Sequence, residues 1–496
     1  MKSRQGWTDL CAFELARKSD TPMFRQLYLQ LRAAILSRRL RPGTQLPSTR
    51  DLAAQLGVSR SAAVAAYEQL LAEGYTTGRH GSGTYVSPGL PEPIEGGKQR
   101  RKKAAAAIPP KMQPIGDFVD VTVQSDQRPF NLGRTLIDDR TLELWRKLAV
   151  RTFRSLDASH FGYSDPRGTI ELRQAICDYL QTARAVKCDP EQIVVTAGTQ
   201  QAIDIVIRIL PNRSRQVWVE DPGYPLTRQA LIAVGATVHP VPVDAQGIDV
   251  GKGIRSAPNA AAVFVTPSHQ FPTGVVLSMV RRLELLAWAR KNDAWIVEDD
   301  YASEFRYGGR PLASLQGLDE GERVIYVGTL NKALFPGLRL GYAVIPHALL
   351  KSFVAARYLM DRQPSTLSQA VVAAFMHEGH FSAHIRRMRL LYKAQRDELV
   401  TALRHRLGDD LTVGPPDQGM HLVAYTRRGL SDIAIERAGR QHDVVVRPMS
   451  QLYLAAPPRS ALVLGFSGHA RQTIGPAVER LARSVESVSK ANRRMG

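Results

Sequence analysis

Six short apolar runs set the rhythm of the chain beyond residue 190: IVVTAG (193–198), QVWVED (216–221), AAVFVTP (261–267), AWIVEDD (294–300), VIYVGT (324–329) and LGYAVI (340–345). Most are near-continuous and rich in β-branched residues, the pattern of strands covered on both faces of a parallel sheet. Between two of them, residues 275–293 repeat apolar side chains at helical spacing through Val276, Val280, Leu283 and Ala287. Strands alternating with amphipathic helices predict a large α/β domain. No internal repeat period is evident.

The first ninety residues have another pattern. FRQLYLQLRAAILSRRL (24–40) predicts an amphipathic basic helix, stopped by Arg41-Pro42-Gly43. Ser48 caps a second helix, STRDLAAQL, with Asp51 three residues on. Gly57 breaks it, and Ser59 opens a third, SRSAAVAAYEQLLAEG (59–74). Two helices joined by a short turn containing glycine form a helix-turn-helix, whose second helix enters the major groove by its N-terminal end. Ser59, Arg60 and Ser61 then face bases and phosphates, while Val64, Tyr67, Leu70 and Leu71 pack inward. GYTTGRHGSGTYVS (74–87) predicts a two-stranded wing, where Arg79, His80 and the bare backbone at Gly81 and Gly83 suit a minor groove or phosphates. The tip lacks the Gly-Lys-Ser/Thr sequence and the strand-to-helix setting of a nucleotide-binding loop.

Charge sharpens this division. The 496 residues carry 66 Lys+Arg against 46 Asp+Glu, a net +20, and half of that lies within residues 1–115. A dense positive head suits a polyanion. Hydrophobic content of 44% excludes a wholly disordered chain. No apolar run approaches the ~20 residues that span a bilayer, and the polar start has no apolar signal core, so no membrane segment is expected and the cytoplasm is the expected home. Three cysteines (Cys11, Cys177, Cys188) without paired spacing exclude a disulfide framework. Residues 88–114 turn to Pro, Gly, Ala and Lys, the composition of a linker. Its run Lys98, Arg100, Arg101, Lys102 and Lys103 is open to two readings, phosphate contact or a solvated, self-repelling spacer. The expected organisation is a winged head over 15–87, a flexible basic linker over 88–115 and a body over 116–496, itself split into a large domain at about 150–350 and a small domain at about 351–496. His377-Glu378 with His380 and His384 misses the H-E-x-x-H spacing, because position 381 is Phe, so no metal is expected.

Ligands of open α/β sheets bind beyond the carboxyl ends of the strands, so the residues just past each run bear on function. The first run leads into Gly198-Thr199-Gln200 and an apolar helix, offering backbone N–H groups to an anion. The second ends in Asp221-Pro-Gly-Tyr224, the third in TPSHQFPTG, the fourth in Asp299-Asp300-Tyr301 and the fifth in Thr329-Leu-Asn-Lys332, with Arg339 seven residues on. An anion nest, an aromatic plate, a carboxylate, a phenol, a lysine and an arginine on one rim are the groups pyridoxal 5'-phosphate needs.

These motifs carry a family resemblance. Residues 22–87 resemble the winged helix-turn-helix of GntR-type regulators, through LPSTRDLAAQLGVSRSAAVAAYEQLLAEGY and HGSGTYV. Residues from about 116 onward resemble fold-type I aminotransferases, through FGYSDPRGTIELRQAICDYL, TAGTQQAIDI, VEDPGYP, TPSHQFPTG, VEDDYASEFRY and GTLNKALFPGLRLGY. The fusion resembles the MocR/GabR/PdxR-like subfamily of GntR transcriptional regulators. The resemblance implies an N-terminal winged helix-turn-helix, a C-terminal α/β aminotransferase fold with a mostly parallel sheet, and contacts to double-stranded DNA from Arg50, Ser59, Arg60, Ser61, His80 and Gly81. It implies Lys332 as the Schiff-base lysine, Asp299 at the pyridine nitrogen and Tyr301 at the ring hydroxyl. Thr199, Gln200, Thr329 and Arg339 are implied at the phosphate, Tyr224 stacked on the ring, and His269 and Gln270 at its border.

The chain departs from the aminotransferase pattern at three places: Phe271 stands where an Asn is usual, Asn331 where a Ser is usual, and Val463 where an Arg commonly forks onto the substrate carboxylate. Valine cannot replace a bidentate ion pair, which points away from ordinary α-amino-acid transamination; Arg447 and Gln270 are candidates for effector contacts. The expected function is therefore a pyridoxal-phosphate-dependent regulator, sensing an amine, an amino acid or the cofactor itself, with a residual transaminase half-reaction left open; the family resemblance further implies a homodimer built head to tail. The alternative is a working aminotransferase tethered to DNA.

Overall fold

The computed structural model describes residues 13–17, 19–79, 83–89, 127–210, 216–309, 312–455 and 458–495. His80, Gly81 and nearly all of the linker lie outside these. The chain divides into two compact units, Met1–Ile108 and Pro109–Gly496.

In the first unit, helices α1 (Met23–Leu36), α2 (Thr49–Leu56) and α3 (Arg60–Ala72) precede a hairpin of β1 (Thr76–Arg79) and β2 (Gly83–Val86). Ser48 Oγ accepts from the Asp51 N–H at 3.1 Å and Ser59 Oγ from the Ala62 N–H at 3.2 Å, so both short helices start on satisfied caps. Gly57 ends α2 in the left-handed region at φ +62°, where a side chain would strain the turn. The inward face of α3 differs from the expectation: Ala62, Ala63 and Ala66 are buried beside Tyr67 and Leu70, whereas Val64 is half-buried and Leu71 is exposed. Small side chains let α3 approach α1 and α2 closely, and close approach selects the alanine stripe.

The second unit contains an eight-stranded sheet built from β3 (Ile193–Thr196), β4 (Gln216–Asp221), β5 (Thr237–Asp244), β6 (Gly247–Ile248), β7 (Ala262–Val265), β8 (Trp295–Asp300), β9 (Val324–Thr329) and β10 (Gly341–Val344), in the order β3-β10-β9-β8-β7-β4-β5-β6. Strands β9, β8, β7, β4 and β5 pair parallel, while β10 runs antiparallel to both β3 and β9. The sheet is thus mostly parallel. The edge strand β6 also pairs antiparallel, with β5; within the sheet, β10 is as fully buried as its neighbours, and burial rather than direction writes the apolar run. Because β10 is reversed, its N-terminal end joins the C-terminal ends of β3, β4, β7, β8 and β9 on one rim.

Helices α4 (Ile170–Arg184), α5 (Thr199–Ile209), α6 (Pro225–Ala233), α7 (Met279–Lys291) and α8 (His347–Asp361) connect and flank the sheet. On α7 the expected apolar face is the wrong one: Val280 and Leu283 are more than half exposed and Ala287 is exposed, while Arg282, Leu285, Leu286, Trp288 and Ala289 are buried. Two apolar stripes overlap on this helix, and the bulkier one fills the core. Arg282 goes inward because its guanidinium reaches the carbonyls of Leu277, Ala313 and Pro267.

A second, antiparallel sheet comes next, β11 (Leu411–Val413), β12 (His421–Thr426), β13 (Arg447–Pro448) and β14 (Ala461–Gly465), ordered β11-β12-β14-β13. It is flanked by α9 (His380–Leu407) and α10 (Ile474–Met495). His384 on α9 is held by the Thr141 hydroxyl at 2.9 Å and the Ala333 carbonyl at 3.1 Å. Two cysteines without paired spacing in sequence meet in space: the free thiols of Cys177 and Cys188 lie 3.8 Å apart. Among the described residues, no helix is long and apolar enough to cross a membrane.

Candidate ligand site and nucleic-acid interface

The anion end of the rim is built by glycine and a helix start. Strand β3 runs into Gly198, at φ +132°, and α5 begins at Thr199. The first-turn N–H groups of a helix have no intrahelical acceptor and carry a partial positive charge. A Cβ on Gly341 would lie 2.7 Å from the Gly198 Cα, so glycine there lets β10 pass beneath the turn. Thr329 ends β9, and its Oγ1 accepts from the Asn331 N–H at 3.1 Å, while Asn331 Oδ1 accepts from the Leu340 N–H at 2.8 Å. Arg339 is exposed at φ +53° immediately before β10 and has no ion pair among the described residues. Thr199, Gln200, Thr329 and Arg339 therefore meet at one end of the rim.

The reactive end centres on Lys332, whose Nζ lies 4.1 Å from the centre of the Tyr301 ring. Burial pulls its ammonium below the ordinary lysine range, with Asp299 and Glu304 opposing. Burial raises the Asp299 carboxyl to about 6, against the pull of Lys332 and with a push from Asp300. Asp299 Oδ1, the Tyr301 hydroxyl and Gln200 Oε1 are buried and have no hydrogen-bond partner among the described residues. Buried polar atoms are normally satisfied, and three orphans on one rim, beside a desolvated lysine, fit a polar ligand that completes them. Tyr224 lies just past β4 and meets Phe271 edge to face at 5.4 Å between ring centres.

His269 also reaches this rim. Neither ring nitrogen makes a hydrogen bond among the described residues. Its basicity falls well below the usual range through burial, then through His421 and Lys332, while the Gly274 backbone pulls weakly the other way. His421, which no motif signalled, stands 5.0 Å from it, centre to centre, and its Nε2 meets the Pro272 carbonyl at 3.0 Å. Gln270, next in the chain, is buried. Its amide nitrogen donates to the carbonyls of Pro222 and Phe271, and its oxygen accepts from Thr273. These bonds brace the loop.

Two further groups escaped the sequence reading. Glu220 Oε2 accepts from the Thr266 hydroxyl at 2.6 Å and the Thr266 N–H at 3.2 Å, and burial raises its carboxyl to about 7. Arg184 ties Asp300 at 2.9 Å to Ser268 at 2.7 Å, joining the β8 and β7 ends from beneath. Neither has a motif signature, because each acts through partners far away in sequence.

Above the rim, Phe271, Tyr301, Met449, Leu452 and Val463 form one apolar cluster, with Tyr224 packed against it. Val463 is fully buried there, filling with hydrocarbon the place of the usual arginine. Arg447 on β13 pairs in register with Val463, and burial lowers its guanidinium against a small opposing effect of Tyr224. In the first unit, Arg50, Ser59, Arg60 and Ser61 are all exposed, and Arg50 and Arg60 carry no ion pair among the described residues. Ser59 and Ser61 lie with their hydroxyls 3.0 Å apart at the start of α3.

A winged helix-turn-helix joined to a fold-type I aminotransferase body defines a class: a regulator whose second domain has the fold of an enzyme. Residues 24–86 match the gntR family of bacterial regulatory proteins, and residues 128–481 match aminotransferase class I and II. The chain belongs to the MocR-type transcriptional regulators of the GntR family. It is 39% identical to the probable rhizopine catabolism regulatory protein MocR of Rhizobium meliloti, over 94% of each chain. It is 31% identical to the pyridoxine biosynthesis regulator PdxR of Corynebacterium glutamicum, over 90% of this chain and 93% of that one. Among solved structures it resembles LysN, an α-aminoadipate aminotransferase of Thermus thermophilus complexed with N-(5'-phosphopyridoxyl)-L-leucine, at 26% identity and a TM-score of 0.65 over 71% of this chain and 90% of that one.

Proposed function

We propose that this regulator binds pyridoxal 5'-phosphate covalently through Lys332, senses an amine, an amino acid or the cofactor itself at that site, and passes the signal to a head on double-stranded DNA. The observation that carries this reading is the desolvated Lys332 beside unpartnered oxygens of Asp299 and Tyr301, with a helix N-terminus and Arg339 at the far end. When bound, the cofactor supplies an aldehyde that captures primary amines and a ring that withdraws electrons.

The chain's own groups do the rest. Lys332 Nζ supplies the amine, and its lowered basicity increases the neutral, nucleophilic fraction. Asp299 Oδ1 would accept from the ring nitrogen, the Tyr301 hydroxyl would donate to a ring oxygen, and Tyr224 would pack on the ring. The α5 N-terminus, with Thr199 and Gln200, together with Thr329 and Arg339, would hold the phosphate. His269 offers a neutral imidazole beside Lys332. Arg447 is the cation available to an acidic effector, and Val463 withholds the usual carboxylate fork, which favours sensing over steady turnover. Arg50, Ser59, Arg60 and Ser61 form the DNA face, with His80 and Gly81 as wing contacts.

Coupling requires the effector to bind two states of the protein with different free energies. A homodimer fits the body's surface: Phe161, Tyr163 and Leu359 are 71–84% exposed, and the Tyr163 ring lies 4.6 Å from Arg362, which places 161–163 beside the end of α8. A regulator of this kind acts in the cytoplasm, where its DNA is. Purified protein with the cofactor is expected to show a visible absorbance band that borohydride fixes onto the peptide carrying Lys332. A Lys332→Ala variant retaining the same covalent adduct would overturn the assignment. Steady turnover of an amino donor with an oxo-acid acceptor would favour the tethered enzyme instead.

A further inference from the structure

The body places two of the chain's three cysteines side by side, one on the helix that braces the rim and one just past it. Cys177 lies two turns before Arg184 on α4, and Cys188 lies in the segment leading to β3. Their sulfurs are 3.8 Å apart. The Cys177 thiol also points at the Cys188 carbonyl at 3.5 Å. The backbone around Cys188 is held: Gln181 donates to its carbonyl at 2.8 Å, and Gln316 brackets Lys187 from both sides at 2.9 and 2.7 Å. Cys177 is buried and Cys188 is half-buried, so an oxidant from solvent meets Cys188 first.

We propose that Cys177 and Cys188 form a thiol-oxidation site, in which a hydroperoxide converts Cys188 to a sulfenic acid, Cys177 closes a disulfide onto it, and the tether clamps the end of α4. The Cys188 sulfur attacks the peroxide, the O–O bond breaks, and for hydrogen peroxide one water leaves. The Cys177 sulfur then attacks the sulfenic sulfur, the S–O bond breaks, and a second water leaves. Two thiols and one peroxide give one disulfide and two waters. Closing the bond takes roughly 2 Å of sulfur movement, from van der Waals contact to a bond.

The consequence comes from connectivity. The closed loop contains Arg184, whose guanidinium joins Asp300 to Ser268 beneath the ligand rim, and it ends at the segment that feeds β3 and the Gly198 turn. Oxidation therefore stiffens the support of both ends of the site. Burial pushes both thiols above their ordinary range, Cys177 further through Asp178 and Asp189, Cys188 further through Cys177 and Asp189. The reacting thiolate is scarce at neutral pH, so the reaction accelerates with pH.

The test uses the full chain, treated with hydrogen peroxide between pH 7 and 8.5 and read by thiol titration, intact mass and peptide mapping. Expected are paired loss of two thiols, a mass decrease of about 2 Da reversed by dithiothreitol, and a rate rising about tenfold per pH unit. Complete oxidation is expected to raise the thermal midpoint of the body by about 3–6 °C. Cys11→Ser is expected to behave as the parent chain and Cys188→Ser to lose the 2 Da product. Stepwise oxygen addition at Cys188 with Cys177 still free to alkylate, or a crosslink through Cys11, would overturn the site. An unchanged midpoint after full conversion would overturn the clamp. Because the parent chain alone supplies the mass and mapping results, a variant that fails to fold leaves the proposal falsifiable.

Discussion

Arg184 is the cation on which the floor of the rim rests. Its side chain is 4% exposed and that of Asp300 1% exposed, so the pair lies out of water. Burial alone would lower the guanidinium, and Asp300, with Tyr326 and Glu298, more than reverses that. Arg184→Met keeps most of the stem and removes the charge, leaving Asp300 with the Tyr326 hydroxyl at 2.6 Å as its remaining strong partner. Stranding one member of a buried pair costs about 3–5 kcal/mol, and the Tyr326 bond places the expectation at about 3 kcal/mol. In an Asp300→Asn background no buried carboxylate is stranded, so the same substitution should cost about 1 kcal/mol, a coupling of about 2 kcal/mol. Urea unfolding of the full chain in a four-protein cycle measures this, with the cofactor absorbance band as a second readout, because Arg184 also holds Ser268 on the His269 loop. A cost below about 1 kcal/mol in the parent background, or equal costs in both, would show that the pair does not support the rim.

Other perturbations test the same geometry. Glu220 stays protonated in the folded chain up to about pH 7 but ionises near its ordinary value when unfolded, so its contribution to stability is present in acid and lost as pH rises through 7. Against Glu220→Gln, the parent should lose about 2–3 kcal/mol between pH 5 and 8, and a pH-independent difference in urea midpoints refutes this. Gly419 sits at φ +92°, and an added Cβ would lie 2.1 Å from His269 Nε2; Gly419→Ala should cost about 1–3 kcal/mol and shift the cofactor band, and an unperturbed spectrum would contradict the packing. Ser59→Ala removes the α3 cap and should destabilise the head by about 1 kcal/mol, seen as a lower first transition in calorimetry. Arg60→Ala should weaken binding to duplex DNA and reduce the salt slope by about 1 while the cofactor band is unchanged; unchanged DNA affinity would remove Arg60 from the interface.

Much of this was legible in the chain because the signals are local. A cap depends on Ser59 and the amide three residues later, and a strand end is marked where β-branched residues give way to Gly, Asp or Lys. The rim groups Thr199, Tyr224, Asp299, Tyr301, Thr329 and Lys332 each lie at or just past the end of a buried strand, so a parallel sheet had to bring them together. What escaped is held by distant partners. His421 comes from the second sheet, Glu220 turns inward to Thr266, and Arg184 reaches Asp300 across 116 residues. Periodicity also misjudged faces: on α7 the exposed stripe is as apolar as the buried one, and on α3 alanines outrank Leu71, because volume and approach distance decide burial.

The sequence by itself determined the order of elements, the division into a basic head and an α/β body, and the rim on which the chemistry sits, since each depends on short-range pattern and on the rule that strand ends carry the ligand. Only the tertiary structure decided the antiparallel insertion of β10, the commitment of Gln270 to its own loop, the desolvation that lowers Lys332 and raises Asp299, and the meeting of Cys177 with Cys188. Those depend on distances between residues far apart in the chain and on exclusion of water, which a string of residue types does not contain.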